Sequence, residues 1–162
     1  MLKIVRTEDL AACVDVIRQS FATVAEEFGF TPENAPRFTA FAVTEERLAW
    51  QMRQGRPMIA CWEDGRIVGY YSLEIKGETC ELNNLCVLPG YRHGGRGKIL
   101  LTDAFARAKT LGCRTMHIGI VAENLRLRRW YETNGFVYTR EEKFDFFPFT
   151  CGYMEKVLED QM

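Results

Sequence analysis

Between residues 92 and 98 the chain reads Arg92-His93-Gly94-Gly95-Arg96-Gly97-Lys98, three glycines set among three permanent cations. Glycine has no Cβ, so its backbone can come close to a ligand. If such a turn opens a helix, the first N–H groups of that helix point at the ligand with a favourable dipole. The chemistry this spacing offers is anion binding, and the ligand it suits is the pyrophosphate of a nucleotide-type cofactor. Two commoner phosphate loops are excluded by spelling. A Walker A loop would need glycine at Arg92 and Ser or Thr at Ile99, and a dinucleotide fingerprint would need glycine at Leu100. No Gly-x-Ser-x-Gly nucleophile elbow occurs either.

The turn lies between an apolar strand ending at Leu88-Pro89 and an amphipathic helix, Ile99 to Leu111, which Gly112 stops. Upstream, Leu2 to Arg6 reads as a strand, and Thr7 with Glu8-Asp9 as a cap for a helix carrying Leu10, Val14, Ile17 and Phe21. Pro32 and Pro36 interrupt the next stretch, until Thr44-Glu45-Glu46 opens a second helix through Leu48 and Met52. Met58 to Trp62 and Ile67 to Ile75 form a hairpin across Glu63-Asp64-Gly65-Arg66, and Glu78 to Leu88 adds another strand. Downstream come a strand (Met116 to Val121), a helix (Asn124 to Thr133), a strand (Phe136 to Thr139) and, after the aromatic stretch Phe144 to Phe149, a last strand (Thr150 to Val157). The expected fold is α/β or α+β, a mixed sheet with helices on both faces.

No repeat or linker divides the 162 residues, so residues 1–162 are read as one domain. With 47% hydrophobic and 27% charged residues the chain is not of the disordered class. Its net charge of −1 gives no field to draw in nucleic acid or an anionic membrane, so an anionic ligand must be held locally. No apolar run is long enough to span a bilayer and the start gives no signal-peptide core, so a cytoplasmic protein is expected. The six cysteines form no C-x-x-C and sit in apolar runs, as reduced thiols would. With only His93 and His117 beside them, no metal site is expected.

Leu85-Cys86-Val87-Leu88-Pro89, Tyr91-Arg92 and the glycine series ending at Gly97, followed by Lys98-Ile99-Leu100-Leu101, resemble the acetyl-CoA motif of the GNAT superfamily of N-acetyltransferases. Glu123-Asn124 through Trp130-Tyr131-Glu132 to Asn134-Gly135-Phe136 resembles that superfamily's downstream motif, and the two blocks cover about half the chain. The resemblance implies a single GNAT-like domain with a mixed, mostly antiparallel central sheet. It implies acetyl-CoA as acyl-donor co-substrate and direct transfer of acetyl to a primary amine of a small molecule or peptide in a ternary complex. The amides of Arg92, His93, Gly94, Gly95, Arg96, Gly97 and Lys98 would hold the pyrophosphate, and main-chain groups of Leu85, Cys86 and Val87 the pantetheine arm. A bulge in that strand would leave an amide free to polarise the thioester carbonyl.

By the same resemblance Asn124 hydrogen-bonds the cofactor, Tyr131 protonates the departing thiolate, and Glu81, four residues before Leu85, accepts the amine's proton. Burial on an apolar strand would raise the Glu81 pKa. Cys86 on the same strand has no base near it in sequence and reads as a packed thiol, not an acyl carrier. Arg128 or Arg129 could reach a ribose phosphate. Phe144, Phe146, Phe147 and Phe149 could line an acceptor pocket opposite Glu26 and Glu27, close the core, or form a homodimer contact. The alternative from another class is a catalytically silent CoA-binding regulatory module on the same fold.

Overall fold

The computed structural model describes residues 1–158. Its strands are β1 (Leu2–Ile4), β2 (Met58–Glu63), β3 (Arg66–Lys76), β4 (Thr79–Val87), β5 (Thr115–Val121), β6 (Val137–Lys143) and β7 (Thr150–Val157); its helices are α1 (Leu10–Phe28), α2 (Thr39–Ala42), α3 (Glu45–Arg53), α4 (Arg96–Thr110) and α5 (Leu125–Thr133). The strands form one sheet in the order β1-β2-β3-β4-β5-β7-β6, antiparallel at every step except β4 to β5. Neighbouring residues on a strand face opposite sides, and β3 shows what lies on each. Tyr71 hydroxyl donates to Asp103 of α4 at 2.5 Å, whereas Tyr70 lies beside Cys13 of α1. Helices therefore cover both faces.

Local signals account for most boundaries. Asp64 and Gly65 both have positive φ (54° and 73°), the two-residue turn whose twist matches a β-hairpin, and it joins β2 to β3. Thr44 Oγ1 accepts from the Arg47 amide at 3.1 Å and starts α3. Thr7, expected as the cap of α1, is not one. Residues Thr7–Asp9 form a 3-10 turn, Asp9 carboxylate accepts from the Arg6 amide at 2.9 Å, and the Thr7 hydroxyl turns toward Met52 sulfur. The glycine turn starts α4 at Arg96, three residues before the expected Ile99.

A second apolar cluster lies beside the main core. Phe30 and Phe38, from the proline-interrupted segment, meet Phe149 with ring centroids 4.8 and 5.9 Å away, joined by Ala25, Ala35 and Val121. Phe149, with Phe147 packed against the cluster, thus closes a core, one of the uses the sequence left open for the aromatic stretch, while Phe146 stays exposed.

The join between β4 and β5 shapes the site. Only Thr79 to Glu81 pair with Thr115 to His117. Past that point β4 stays with β3 and β5 stays with β7, so the two central strands part. A wedge opens in the middle of the sheet, and the β4 edge from Leu82 onward has no strand beside it.

Candidate active site

One lip of the wedge carries a bulge. Tyr70 pairs with Cys86 and Ser72 with Asn83, so Asn84 and Leu85 together oppose the single residue Tyr71. Asn84 takes φ 55°, a left-handed conformation that asparagine tolerates better than most residues. The sequence placed this bulge near Leu85 to Val87, but the signal was Asn83-Asn84 one step earlier. Leu85 is partly buried, and Cys86 and Val87 are buried. The Val87 carbonyl is already used, accepting from Arg92 Nε at 3.0 Å.

Four residues beyond the strand end, the glycine turn leads into α4. Gly95 is the N-cap residue at φ 82°, with no side-chain cap, and the first bond into the helix is Ile99 N–H to Gly95 C=O at 3.0 Å. The amides of Gly95, Arg96, Gly97 and Lys98 therefore have no acceptor among the described residues. A helix N-terminus left this way is a ready anion site. Nothing lies within 4 Å of where a Gly95 Cβ would stand, so the cradle is open; a Cβ at Gly94 would instead collide with Arg96 Nη1. His93 joins the turn at φ 67°, and Gly97, the second helical residue, sits against the Trp130 ring.

The cations of the turn are engaged inside the protein, which the sequence did not show. Arg92 also donates to Ser20 C=O at 2.9 Å and Thr23 Oγ1 at 3.1 Å, fastening the turn to α1. Arg96 forms a bidentate pair with Glu63 of the β2–β3 hairpin and donates to Tyr91 C=O at 2.8 Å. Lys98 Nζ donates to Asn134 Oδ1 at the end of α5. These three side chains hold the shape of the loop and leave its centre to backbone N–H groups. Arg128, a candidate for a ribose phosphate, stacks on Tyr138 at 3.8 Å and lies 3.7 Å from Glu132, while Arg129 is exposed.

The other lip is the start of α5. Asn124 is buried and caps that helix, its Oδ1 accepting from the Leu127 amide at 3.2 Å, which leaves its Nδ2 as a donor. Two turns on, Tyr131 is buried with its ring edge-on to Trp130 and Phe136 (centroids 5.0 and 5.3 Å). Burial, and then the nearby Cys86 sulfur, push its phenol well above the ordinary tyrosine value, so it is protonated at neutral pH. All six cysteines are free thiols, and burial pushes Cys86 up to about 12, so it is not a thiolate nucleophile.

Two chambers flank the wedge. A polar one of about 310 Å³ is lined by Arg37, Thr39, Arg47, Gln51, Arg56, Glu74, Glu81, Asn83 and Asn84. A largely aromatic one of about 260 Å³ is lined by Phe38, Phe147, Phe149, Ile120, Asn124 and Leu127 among others, and shares Arg37 and Thr39 with the first. Glu81 is in the polar chamber, at the last paired residue before the wedge. It lacks the burial expected of it: its side chain is 43% exposed and lies 3.7 Å from Lys76 Nζ. Glu81 pairs with Glu74 of β3 and His117 of β5, and its side chain opens on the polar chamber instead of packing into the core. Of the acids expected opposite the aromatic loop, Glu27 pairs with Arg126 at 2.6 Å and Glu26 is exposed on α1.

With this geometry in place, a profile of the Acetyltransferase (GNAT) family matches residues 21–136. The chain is 32% identical over 108 residues to an uncharacterized N-acetyltransferase of Mycobacterium tuberculosis, covering 65% of this chain and 69% of that protein. The PaiA N-acetyltransferase of Thermoplasma acidophilum in complex with coenzyme A superposes with a TM-score of 0.80 at 21% identity, over 97% of this chain and 99% of that one. The ribosomal-protein-S18-alanine N-acetyltransferase of Escherichia coli superposes at 0.79 with 16% identity, over 100% and 96%. The unmatched edge of β4 offers main-chain groups to an extended ligand, and the free N–H groups before α4 offer donors to an anion.

Proposed function

Because the chain belongs to the Acetyltransferase (GNAT) family, and so is an acetyl-CoA-dependent acyltransferase, we propose that it moves acetyl to a primary amine by direct attack with both substrates bound. The observation that carries this reading is the wedge after Glu81. It sets an unmatched strand edge and a bulge beside one polar chamber, and the buried Tyr131 lies near this strand through Cys86.

Acetyl-CoA supplies a thioester whose carbonyl carbon an amine can attack, with release of the thiol. The amides of Gly95 to Lys98 hold the pyrophosphate, and main-chain groups at Leu85 pair with the amide-bearing arm. Asn124 Nδ2 adds a donor while its Oδ1 caps α5. An N–H freed by the bulge at Asn84-Leu85 stabilises charge as it develops on the carbonyl oxygen. Glu81 takes a proton from the acceptor's ammonium, through water in view of its exposure, and Tyr131 Oη gives one to the leaving sulfur. The nitrogen gives up two protons in all. One leaves by Glu81 to solvent and the other replaces the proton spent by Tyr131.

A protonated, buried Cys86 argues against an acyl-enzyme route. Initial rates measured against both substrates should give intersecting lines, and Cys86→Ala should keep turnover within about threefold. Parallel lines, or a dead Cys86→Ala that still folds, would overturn direct transfer. Glu81→Gln should lower kcat by about 100-fold, the lower end for general base catalysis, with affinity for acetyl-CoA unchanged. An unaltered kcat would leave Glu81 as a surface partner of Lys76.

A further inference from the structure

The charges in the polar chamber do not balance, and the excess lies on its outer side. Three arginines and two glutamates line it. Arg56 Nη2 lies 2.5 Å from Glu74 Oε2, and Lys76 Nζ lies 2.9 Å from Glu74 and 3.7 Å from Glu81. Lys76 first, with Arg56, holds the Glu74 carboxyl below the usual carboxylate range, so it is ionised and matched. Arg37 and Arg47 have no carboxylate within ion-pair distance among the described residues. Arg37 is held by its face instead, with its guanidinium 4.2 Å over the Phe146 ring. Stacking of that kind fixes the plane of a guanidinium and leaves its N–H edge to donate.

On the reading of the site just given, we propose that the acceptor is an amino-acid-like zwitterion, a primary amine carrying a carboxylate that Arg37 and Arg47 bind. The amine end is fixed at the Glu81 and Asn84 side of the chamber, because that side adjoins the bulge. The anionic end then falls to the two arginines without acidic partners. Planar guanidinium forks match a carboxylate in bidentate fashion. The same two cations repel the second charge of a diamine or polyamine, so the chamber selects against that class as well as for amino acids. A volume of about 310 Å³ is at the small end of ligand pockets and suits an acceptor of amino-acid size.

The test pairs each acceptor with a partner lacking only the carboxylate, such as phenylalanine with phenethylamine and lysine with cadaverine. It measures thiol release from acetyl-CoA by the full chain. Arg37 and Arg47 are exposed, so the carboxylate-bearing member of each pair should have a kcat/KM at least about tenfold higher, the lower end for hydrogen bonds between charged groups. Arg47→Gln and Arg37→Gln should each raise KM for the amino acid by at least tenfold and narrow that ratio, with calorimetric affinity for acetyl-CoA reporting an intact fold. Equal use of paired acceptors, or arginine variants with unchanged KM, would overturn the zwitterion assignment and leave the transferase reading standing. No thiol release above background with any amine of the panel would overturn both.

Discussion

Gly95→Asp should weaken binding of acetyl-CoA by at least 100-fold relative to Gly95→Asn, a difference of about 2.7 kcal/mol. The two variants differ by one charge and almost nothing in shape. Gly95 stands at φ 82° and ψ 4°, a conformation that Asn and Asp adopt more readily than other non-glycine residues, and no atom lies within 4 Å of the position of its Cβ. Both variants should therefore fold, and whatever strain the left-handed conformation imposes is common to the two. What remains is a carboxylate facing a pyrophosphate across the open amides of Gly95 to Lys98. At about 4 Å, with the effective dielectric of a protein surface, two like charges repel by about 4 kcal/mol, enough for a 100-fold loss after partial screening. Calorimetric titration of both variants checks it. Equal affinities would mean that the cofactor's phosphates lie elsewhere.

Tyr131→Phe should lower kcat by about 100-fold, the lower end of what a positioned acid supplies, while the affinity for acetyl-CoA changes by less than about twofold. The substitution deletes one oxygen and keeps the ring against Trp130 and Phe136. None of the hydrogen bonds among the described residues uses that hydroxyl, so its loss strands no partner and should not unfold the protein. Burial raises the phenol pKa, so the acid form persists to at least the ordinary tyrosine value of about 10. A fall in activity below that pH must then come from another group. Steady-state kinetics beside calorimetry separate turnover from binding; a kcat equal to that of the unsubstituted chain would make Tyr131 a core aromatic and nothing more.

The sequence was most readable where local rules dominate. The glycine turn, the Asp64-Gly65 hairpin and the Thr44 cap each depend on residues within a few positions of one another, and each appears where its signal lies. Partners from distant segments were invisible. Arg92 and Arg96 read as loose cations for a phosphate because Ser20 and Glu63, which hold them, are 72 and 33 residues away. Glu81 read as buried because nothing local says that its side chain faces a chamber walled by Arg37, Arg47 and Gln51 from distant segments. The bulge was expected but misplaced by a residue or two, since Asn84 looks like an ordinary polar strand residue until its left-handed backbone is seen. The acceptor chamber was unreadable for the same reason. Its walls come from Arg37, Arg47, Glu74 and Asn83, on four separate elements or loops, and the charge imbalance between them exists only in the fold.

If the open amides before α4 and the wedge between β4 and β5 make an acyl-transfer site, the protein must both hold acetyl-CoA and spend it on an amine. Calorimetric titration with acetyl-CoA, followed in the same preparation by thiol release across a panel of primary amines, reads both. Saturable 1:1 binding and thiol release that depends on the amine are expected. Binding with no release from any amine would contradict the transferase reading of the wedge, and absence of binding would contradict the cofactor site itself.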